Sequence, residues 1–338
     1  MLLHVLNGDA TRVPLERSGV PGRMTVWADV LHDGPVPDVP HEELLRIRGR
    51  HHAVVDDEKS FEQDLNELRA WYDALEKFPD YEEVVFWFEH DLFDQLILIR
   101  HLDWLSRIDP GGTRFSLICI GGFPGHPDFA GLGELSSTEL ATLFPGRKPI
   151  SPEQIELGRI AWAHFRAADP VALAEWIADA DTSALPFLAG ALRRCLEDYP
   201  SVREGLARTE MQILRAVTAG HTTPWAIFVA NQKMEERVYM GDLSFWHILR
   251  GLASGPHPLV TIAGDQPPSD PGAGPVALTN AGQDVLSGRA DHIALNGIDR
   301  WIGGAHLMSE HHWRWDGARL TPVNSQRPTP NSHKSPPS

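Results

Sequence analysis

The residues of this chain best suited to chemistry fall at four abrupt changes from apolar to polar sequence. The sharpest is VVFWFEHDLFDQL at 84–96, where five apolar residues run into Glu89, His90 and Asp91, with Asp94 and Gln95 just behind. A second is Asn7-Gly8-Asp9 after the apolar Leu2–Leu6, and a third is Asp29 with Leu31-His32-Asp33-Gly34. The fourth is Gly121-Gly122-Phe123-Pro124-Gly125 after FSLICI. Carboxylates and imidazoles in this mixture suit two kinds of chemistry. If His90 adjoins Asp9 or Asp33, the carboxylate orients an imidazole that acts as general acid and base, with Asp91 in support. Asp9, Asp33 and His90 equally suit a divalent metal such as Mg, Mn or Zn, and paired ions of this kind hydrolyse phosphate esters. Against both stands a plain structural role, since Asp91 is also well placed to cap a helix. Around these groups Asn7, Gly8, His32, Asp94, Gln95 and Gly121 are the expected substrate contacts. The glycines bring backbone amides that can cradle a phosphate, although turn formation alone also accounts for them.

Such groups must be held by a scaffold, and the pattern supplies one. Val84–Phe88 reads as a strand buried on both faces, and Leu92–Leu105 carries apolar residues at helical spacing. Leu2–Leu6, Met24–Trp27 and Phe115–Ile120 are further strands, each ending in a Gly- or acid-rich turn, with helical segments between. This alternation predicts an α/β fold over residues 1–150: a Rossmann-like parallel sheet with helices on both faces, binding its ligand at the carboxyl edge. A GxGxxG fingerprint is absent from the sequence. Two charged surface helices are expected between Glu42 and Phe78, with His51 and His52 solvated on them. Residues 151–205 read as a helical subdomain. From 206 to 323 the order is three helices, a strand, a Pro/Gly-rich loop at 264–275, a second strand and another helix, which is the order of a winged-helix-like domain. The Pro/Ser-rich tail, 324–338, is expected to be disordered.

Composition narrows the class. The chain has 338 residues, a net charge of −16 and two cysteines, Cys119 and Cys195, neither in a CxxC. That excludes a disulfide framework and disfavours nucleic-acid backbones and anionic membranes as partners. The amino terminus does not read as a signal peptide and no run has the ~18 apolar residues of a membrane helix, so the expectation is a soluble cytoplasmic protein. Between 206 and 323 there are 9 Lys plus Arg against 11 Asp plus Glu, so the winged-helix-like region suits protein contact or a homodimer better than DNA.

The segment Leu295–Leu307 adds Arg300 beside Trp301, two glycines and His306. Arg300 suits an anion contact if the segment folds back over the sheet edge, and an interdomain staple if it does not. Trp225, Trp246, Trp313 and Trp315 are expected to be packing residues, and His311-His312 a solvated pair. Five phrases, NGDA at 7–10, ADVLHDGPVP at 28–37, WFEHDLFDQL at 87–96, LICIGGFPG at 117–125 and LNGIDRWIGGAHL at 295–307, together resemble the bacterial family catalogued as domain of unknown function 1835. The resemblance covers mainly the first 150 residues and implies no particular activity. The residues themselves point to a hydrolase or group transferase acting on a small polar, phosphorylated or nucleotide-like ligand. The alternative is a ligand-sensing regulator whose winged helix contacts DNA or protein.

Overall fold

The apolar runs become strands close to where their pattern places them. The computed structural model describes residues 1–56, 58–264 and 274–324. It is a mixed α/β fold with β1 (Leu2–Leu6), β2 (Arg23–Val26), β3 (Gly34–Pro35), β4 (Glu83–Glu89), β5 (Arg114–Ile120) and β6 (Lys148–Pro149) in its first half. The first sheet has the order β2-β1-β4-β5-β6, with the first four strands parallel and β6 antiparallel at the edge. The chain winds outward from β1 to β2 and then returns to place β4 on the other side of β1. The winding therefore reverses between β1 and β4, and the crevice at their carboxyl ends is where open sheets of this kind bind ligands. Asn7-Gly8 and Glu89-His90-Asp91 open onto that crevice.

Side-chain alternation explains why β4 is wholly apolar between its ends. Val84, Phe86 and Phe88 enter the main core, while Val85 and Trp87 enter a smaller one on the opposite face. The smaller core is closed by Leu15 of α1 (Asp9–Glu16) and, later in the chain, by Leu132 and Leu140. On the main face lie α2 (His41–Val55), α3 (Phe61–Glu76) and α4 (Leu92–Leu105). Leu140 belongs to α5 (Ser137–Leu143), and α6 (Pro152–Phe165) runs along α4. A Cβ at Gly158 would stand 2.3 Å from Leu102, so glycine is what allows these two helices to approach so closely.

The helices α7 (Val171–Asp179) and α8 (Leu188–Leu196) complete the helical stretch expected between 151 and 205. There follow α9 (Arg208–Thr218), α10 (Pro224–Gln232) and α11 (Asp242–Leu252), then an antiparallel pair, β7 (Val260–Ile262) and β8 (Val276–Leu278). Two short helices, α12 (Asn280–Leu286) and α13 (His292–Asn296), lead into the last segment. Most of the Pro/Gly-rich loop and all but the first residue of the tail lie outside the described residues.

The last segment holds a second five-stranded sheet that the sequence pattern does not announce. β9 (Asp299–Gly303), β10 (Ala305–Met308), β11 (His311–Trp315) and β12 (Leu320–Asn324) form an antiparallel meander, and β9 also pairs in parallel with β3. Gly303 and Gly304 make the junction feasible. A Cβ would fall 2.2 Å from the Phe165 carbonyl oxygen at Gly303 and 1.8 Å from that of Arg166 at Gly304, and Gly303 has φ +56°. Gly304 N–H donates to the Phe165 carbonyl at 3.0 Å, while Gly303 O accepts from Val36 N–H at 2.7 Å. The main core runs unbroken from Leu3 to Leu320. Two expectations are overturned in this half. His312 is buried on the face of β11 opposite Trp313 and Trp315, its Nδ1 3.2 Å from the Met308 carbonyl oxygen, and His311 too has a partner. Trp225 is 58 % exposed, unlike Trp246 and Trp313, which are buried, and Trp315, which is half-buried against the core.

Behind the loop that follows β2 stands Arg48 of α2, with a side chain only 1 % exposed. It donates to Asp29 through Nη2 at 2.7 Å and Nε at 3.0 Å, and to the carbonyls of Val30 at 2.8 Å and Asp33 at 2.7 Å. Burial alone would push the Asp29 carboxyl up, but Arg48 and His52 hold it far below the usual range, so it remains charged. Replacing Arg48 by Met strands that charge and three carbonyl contacts. We expect Arg48→Met to cost about 3–5 kcal/mol in urea denaturation, and Asp29→Asn in the same chain to recover part of it.

Candidate functional site

Two polar constellations stand at the carboxyl edge of the first sheet. The first lies in the crevice between β1 and β4. Glu89 ends β4, Asp91 caps α4 by accepting from Asp94 N–H at 3.0 Å, and Asp94 turns back to accept from Glu89 N–H at 2.9 Å. Asn7, from the end of β1, donates through Nδ2 to Glu89 Oε1 at 2.9 Å and to Asp94 Oδ2 at 3.0 Å. Leu132 N–H adds a bond to Glu89 Oε1 at 2.6 Å, and Gln95 Nε2 donates to the Glu89 carbonyl at 2.6 Å. Ligand atoms of Glu89, Asp91 and Asp94 lie within 4.8 Å of one another, the one grouping among the described residues close enough to share an ion. Here, however, the Asn7 amide and backbone N–H groups provide the positive ends. Burial, with the Asp91 charge behind it, raises Glu89 to about 8. Burial raises Asp91 to about 6 and, with its two carboxylate neighbours, lifts Asp94 well above its ordinary value. Near neutrality the crevice therefore retains protons, and its hydrogen bonds fix the first turn of α4.

The expected partners of His90 are elsewhere. Asp9 is exposed on α1 and bonded to Arg12 at 2.7 Å, because the turn at Gly8 carries it past the crevice. Asp33 is engaged by a different histidine. His90 is itself buried beside Phe129 and Phe187, its Nδ1 without a hydrogen-bond partner among the described residues, and burial lowers its pKa. Asp9, Asp33 and His90 therefore do not assemble as an acid–base pair or a ligand set. Gly121 packs against Phe187 and the His90 Cβ rather than presenting an open cradle, a Cβ there falling 2.7 Å from the Phe187 ring. Gly8 is unencumbered and ends at the first residue of α1.

The second constellation lines a cavity of about 500 Å³ between the loop after β2, α11 and the second sheet. Its centre is Asp33, whose Oδ1 lies 3.0 Å from His51 Nε2 on α2. Burial would raise Asp33, but the His51 hydrogen bond, with Ser244 also bonded, keeps it ionised far below the usual range. His51 is seated by Gly34, which has φ +81° and where a Cβ would stand 2.3 Å from the imidazole ring. With its Nε2 proton directed at a carboxylate, the basic lone pair of this imidazole is on Nδ1. Across the cavity Arg300 of β9 pairs with Glu210 of α9, which Arg300 holds below its ordinary pKa against the opposing effect of burial. His32 also faces this space, edge-on to Tyr239 at 4.9 Å, and burial drives it down to about 4, so it is neutral at physiological pH. His247 and His292 complete the wall, and burial lowers both.

The structure thus brings together His32, Asp33 and Arg300, and separately Asn7, Glu89, Asp91, Asp94 and Gln95. His51 and His52 are corrected from solvated surface residues to half-buried partners of Asp33 and Asp29. Along with Glu210, His247 and His292 they are what motif reading missed. A signal existed: Arg48, His51 and His52 share the helix face of Leu44, Leu45 and Val55, which turns inward. No protein-family model matches the chain, and no curated protein matches it either.

The crevice carboxyls yield a signed prediction. Their folded pKa values stand above the unfolded values, so they stabilise the fold fully below roughly pH 4, and this contribution is lost as pH rises through about 6 and about 8. We expect Glu89→Gln to be at no disadvantage to wild type near pH 5 and to melt several degrees higher near pH 9. Parallel thermal melts of the two proteins measure this, and an identical pH dependence would refute it.

Proposed function

We propose that this chain is an enzyme, a hydrolase or group transferase, acting on a small polar, anionic substrate in the cavity between the loop after β2 and the second sheet. The observation that carries the reading is the meeting, in one cavity of about 500 Å³, of a half-buried Asp33–His51 pair and an arginine. His51 is the acid–base group, Asp33 orients it, and Arg300, which is paired with Glu210, is the anion contact. Neutral His32 offers a hydrogen bond without adding charge, since its buried Nε2 has no partner among the described residues. The volume suits a ligand of nucleotide size or smaller. The crevice of Asn7, Glu89, Asp91 and Asp94 serves the scaffold in this reading, and a divalent ion is not required.

The finer architecture fits the same picture. We read the first sheet as Rossmann-like and α9–α11 with β7 and β8 as winged-helix-like. Ser244, His247, Ile248 and Gly251 of α11 line the cavity. In a DNA-reading winged helix that third helix is free to enter a groove, so the use of α11 as a wall, together with the net charge of −16, favours an enzyme over a DNA-binding regulator. Homodimer formation finds its support in Trp225 and Val229, one turn apart on α10 and both exposed. No helix among the described residues is long and apolar enough to cross a membrane, and both cysteines are free, which supports assignment to the cytoplasm. Membership of the domain of unknown function 1835 family rests on the five sequence phrases and adds no activity of its own.

Screening phosphorylated and carboxylated small molecules for turnover tests the assignment. We expect His51→Gln to lower kcat/KM by roughly a hundredfold or more, and Arg300→Lys to raise KM with a smaller change in kcat. His90→Gln should leave both parameters near wild type. Turnover that survives in His51→Gln and is abolished in His90→Gln would place the chemistry in the crevice instead.

A further inference from the structure

Asp33, His51 and Ser244 line a second, smaller cavity as well, of about 250 Å³, enclosed by α2, α3 and the start of α11. The reacting pair therefore stands where two chambers meet. The larger one sets Arg300 among Asp33, Asp198, Glu210 and Asp299. The smaller one has the carboxylates of Asp56, Asp64 and Glu67 and a single lysine, Lys59, which is committed to Glu67 at 2.8 Å.

One of these carboxylates is anomalous. Asp64, in the first turn of α3, is only 3 % exposed, lines the cavity, and has a buried Oδ2 with no hydrogen-bond partner among the described residues. Its helix does not need it as a cap, because Ser60 and Gln63 already form a reciprocal capping box. A buried carboxylate oxygen left without a donor is costly, on the order of 1–3 kcal/mol or more. The nearby cations, His52 and Lys59, act on it only at a distance, and they are bonded to Asp29 and Glu67. Trp71 forms another part of the same wall, half-buried, and an indole face attracts a cation more strongly than any other side-chain ring. A buried carboxylate lacking a donor, with a tryptophan two turns along the same face of α3, in a chamber of amine size, is a recognition site for an organic cation.

We propose that the smaller chamber binds the ammonium group of the substrate, with Asp64 as its counter-ion and Trp71 as its aromatic wall. This rests on the assignment of Asp33 and His51 as the reacting pair and deepens it. The substrate is a zwitterion-like small molecule with an amine at one end and an anionic group at the other. The amine lies against Asp64, the anionic group against Arg300, and the bond to be broken beside His51. Two opposite charges read at opposite ends would discriminate against simple phosphate esters, which lack the amine, and against simple amines, which lack the anion.

The test uses the full chain and three small probes of equal length: n-butylammonium, neutral n-butanol and butyrate. Calorimetric titration should show saturable binding of butylammonium and none of butanol under the same conditions. Asp64→Asn, which preserves shape and removes the charge, should weaken that binding by about tenfold or more, as should Trp71→Leu two turns along the same helix. Arg300→Lys should not affect it. Butylammonium binding no better than butanol, or equally well to Asp64→Asn, would overturn the amine site. Failure of the enzymatic assignment would look different: butylammonium would still bind and still require Asp64, while no amine-bearing phosphate or carboxylate is turned over. If instead anionic substrates are turned over with no preference for an amine and with Asp64→Asn unaffected, the assignment of the reacting pair stands and the ammonium site does not.

Discussion

The larger cavity depends on a single buried guanidinium. Arg48 is held in the apolar stripe of α2, where an arginine is tolerable only if every donor finds an acceptor. It finds them all in one place: the Asp29 carboxylate and the carbonyls of Val30, Asp33 and, more distantly, Pro35. The loop from 29 to 35 has no regular structure of its own until the two residues of β3, so these contacts determine its course. They fix where Asp33 points, where Gly34 receives the His51 ring, and where β3 presents its edge to β9. A lysine could match the charge at this position but not the fan of directions.

The two polar constellations meet the cost of burying carboxylates in opposite ways. In the crevice, Glu89 and Asp94 have amide donors and no ion-pair partner among the described residues, so they retain protons near neutrality and form a largely neutral network that sets the entry of α4. Around the cavity, Asp29, Asp33 and Glu210 are each opposed by a cationic or cation-forming side chain and remain ionised. A neutral network is rigid and chemically quiet, whereas an ionised carboxylate bonded to an imidazole is an arrangement that can move a proton. That contrast is the physical reason to locate chemistry at His51.

What could be read in the sequence follows from locality. Leu2–Leu6, Val84–Phe88 and Phe115–Ile120 are continuous apolar runs with polar ends, and a run of that kind has few ways to be buried. The capping role of Asp91 and the gathering of Asn7, Asp94 and Gln95 are consequences of those same strand ends, so they too were accessible. His51 is harder to read, because its partner Asp33 lies across a glycine and three prolines, and the apolar stripe of Leu44, Leu45 and Val55 shows which face of α2 turns inward but not which loop it meets. β3 is two residues long and acquires its status as a strand only from β9. β11 reads HHWRW, which looks like a polar surface until it is seen that alternate members face the core. Asp64 is hidden for a similar reason: nothing local distinguishes a solvated acid in a first helical turn from one that is buried at the wall of a cavity.

The pairing of β3 with β9 joins residues almost the whole length of the chain apart. Contacts of such separation form late, since the loop they close must be ordered before they contribute. During synthesis the first sheet can assemble while β9 is still unmade, and the nascent chain then carries Arg48, Asp33 and His51 without Arg300. The proposed site is therefore complete only once the final segment is in place. A truncated or stalled product should display a partly organised loop with an open strand edge, the kind of surface that chaperones and proteases recognise.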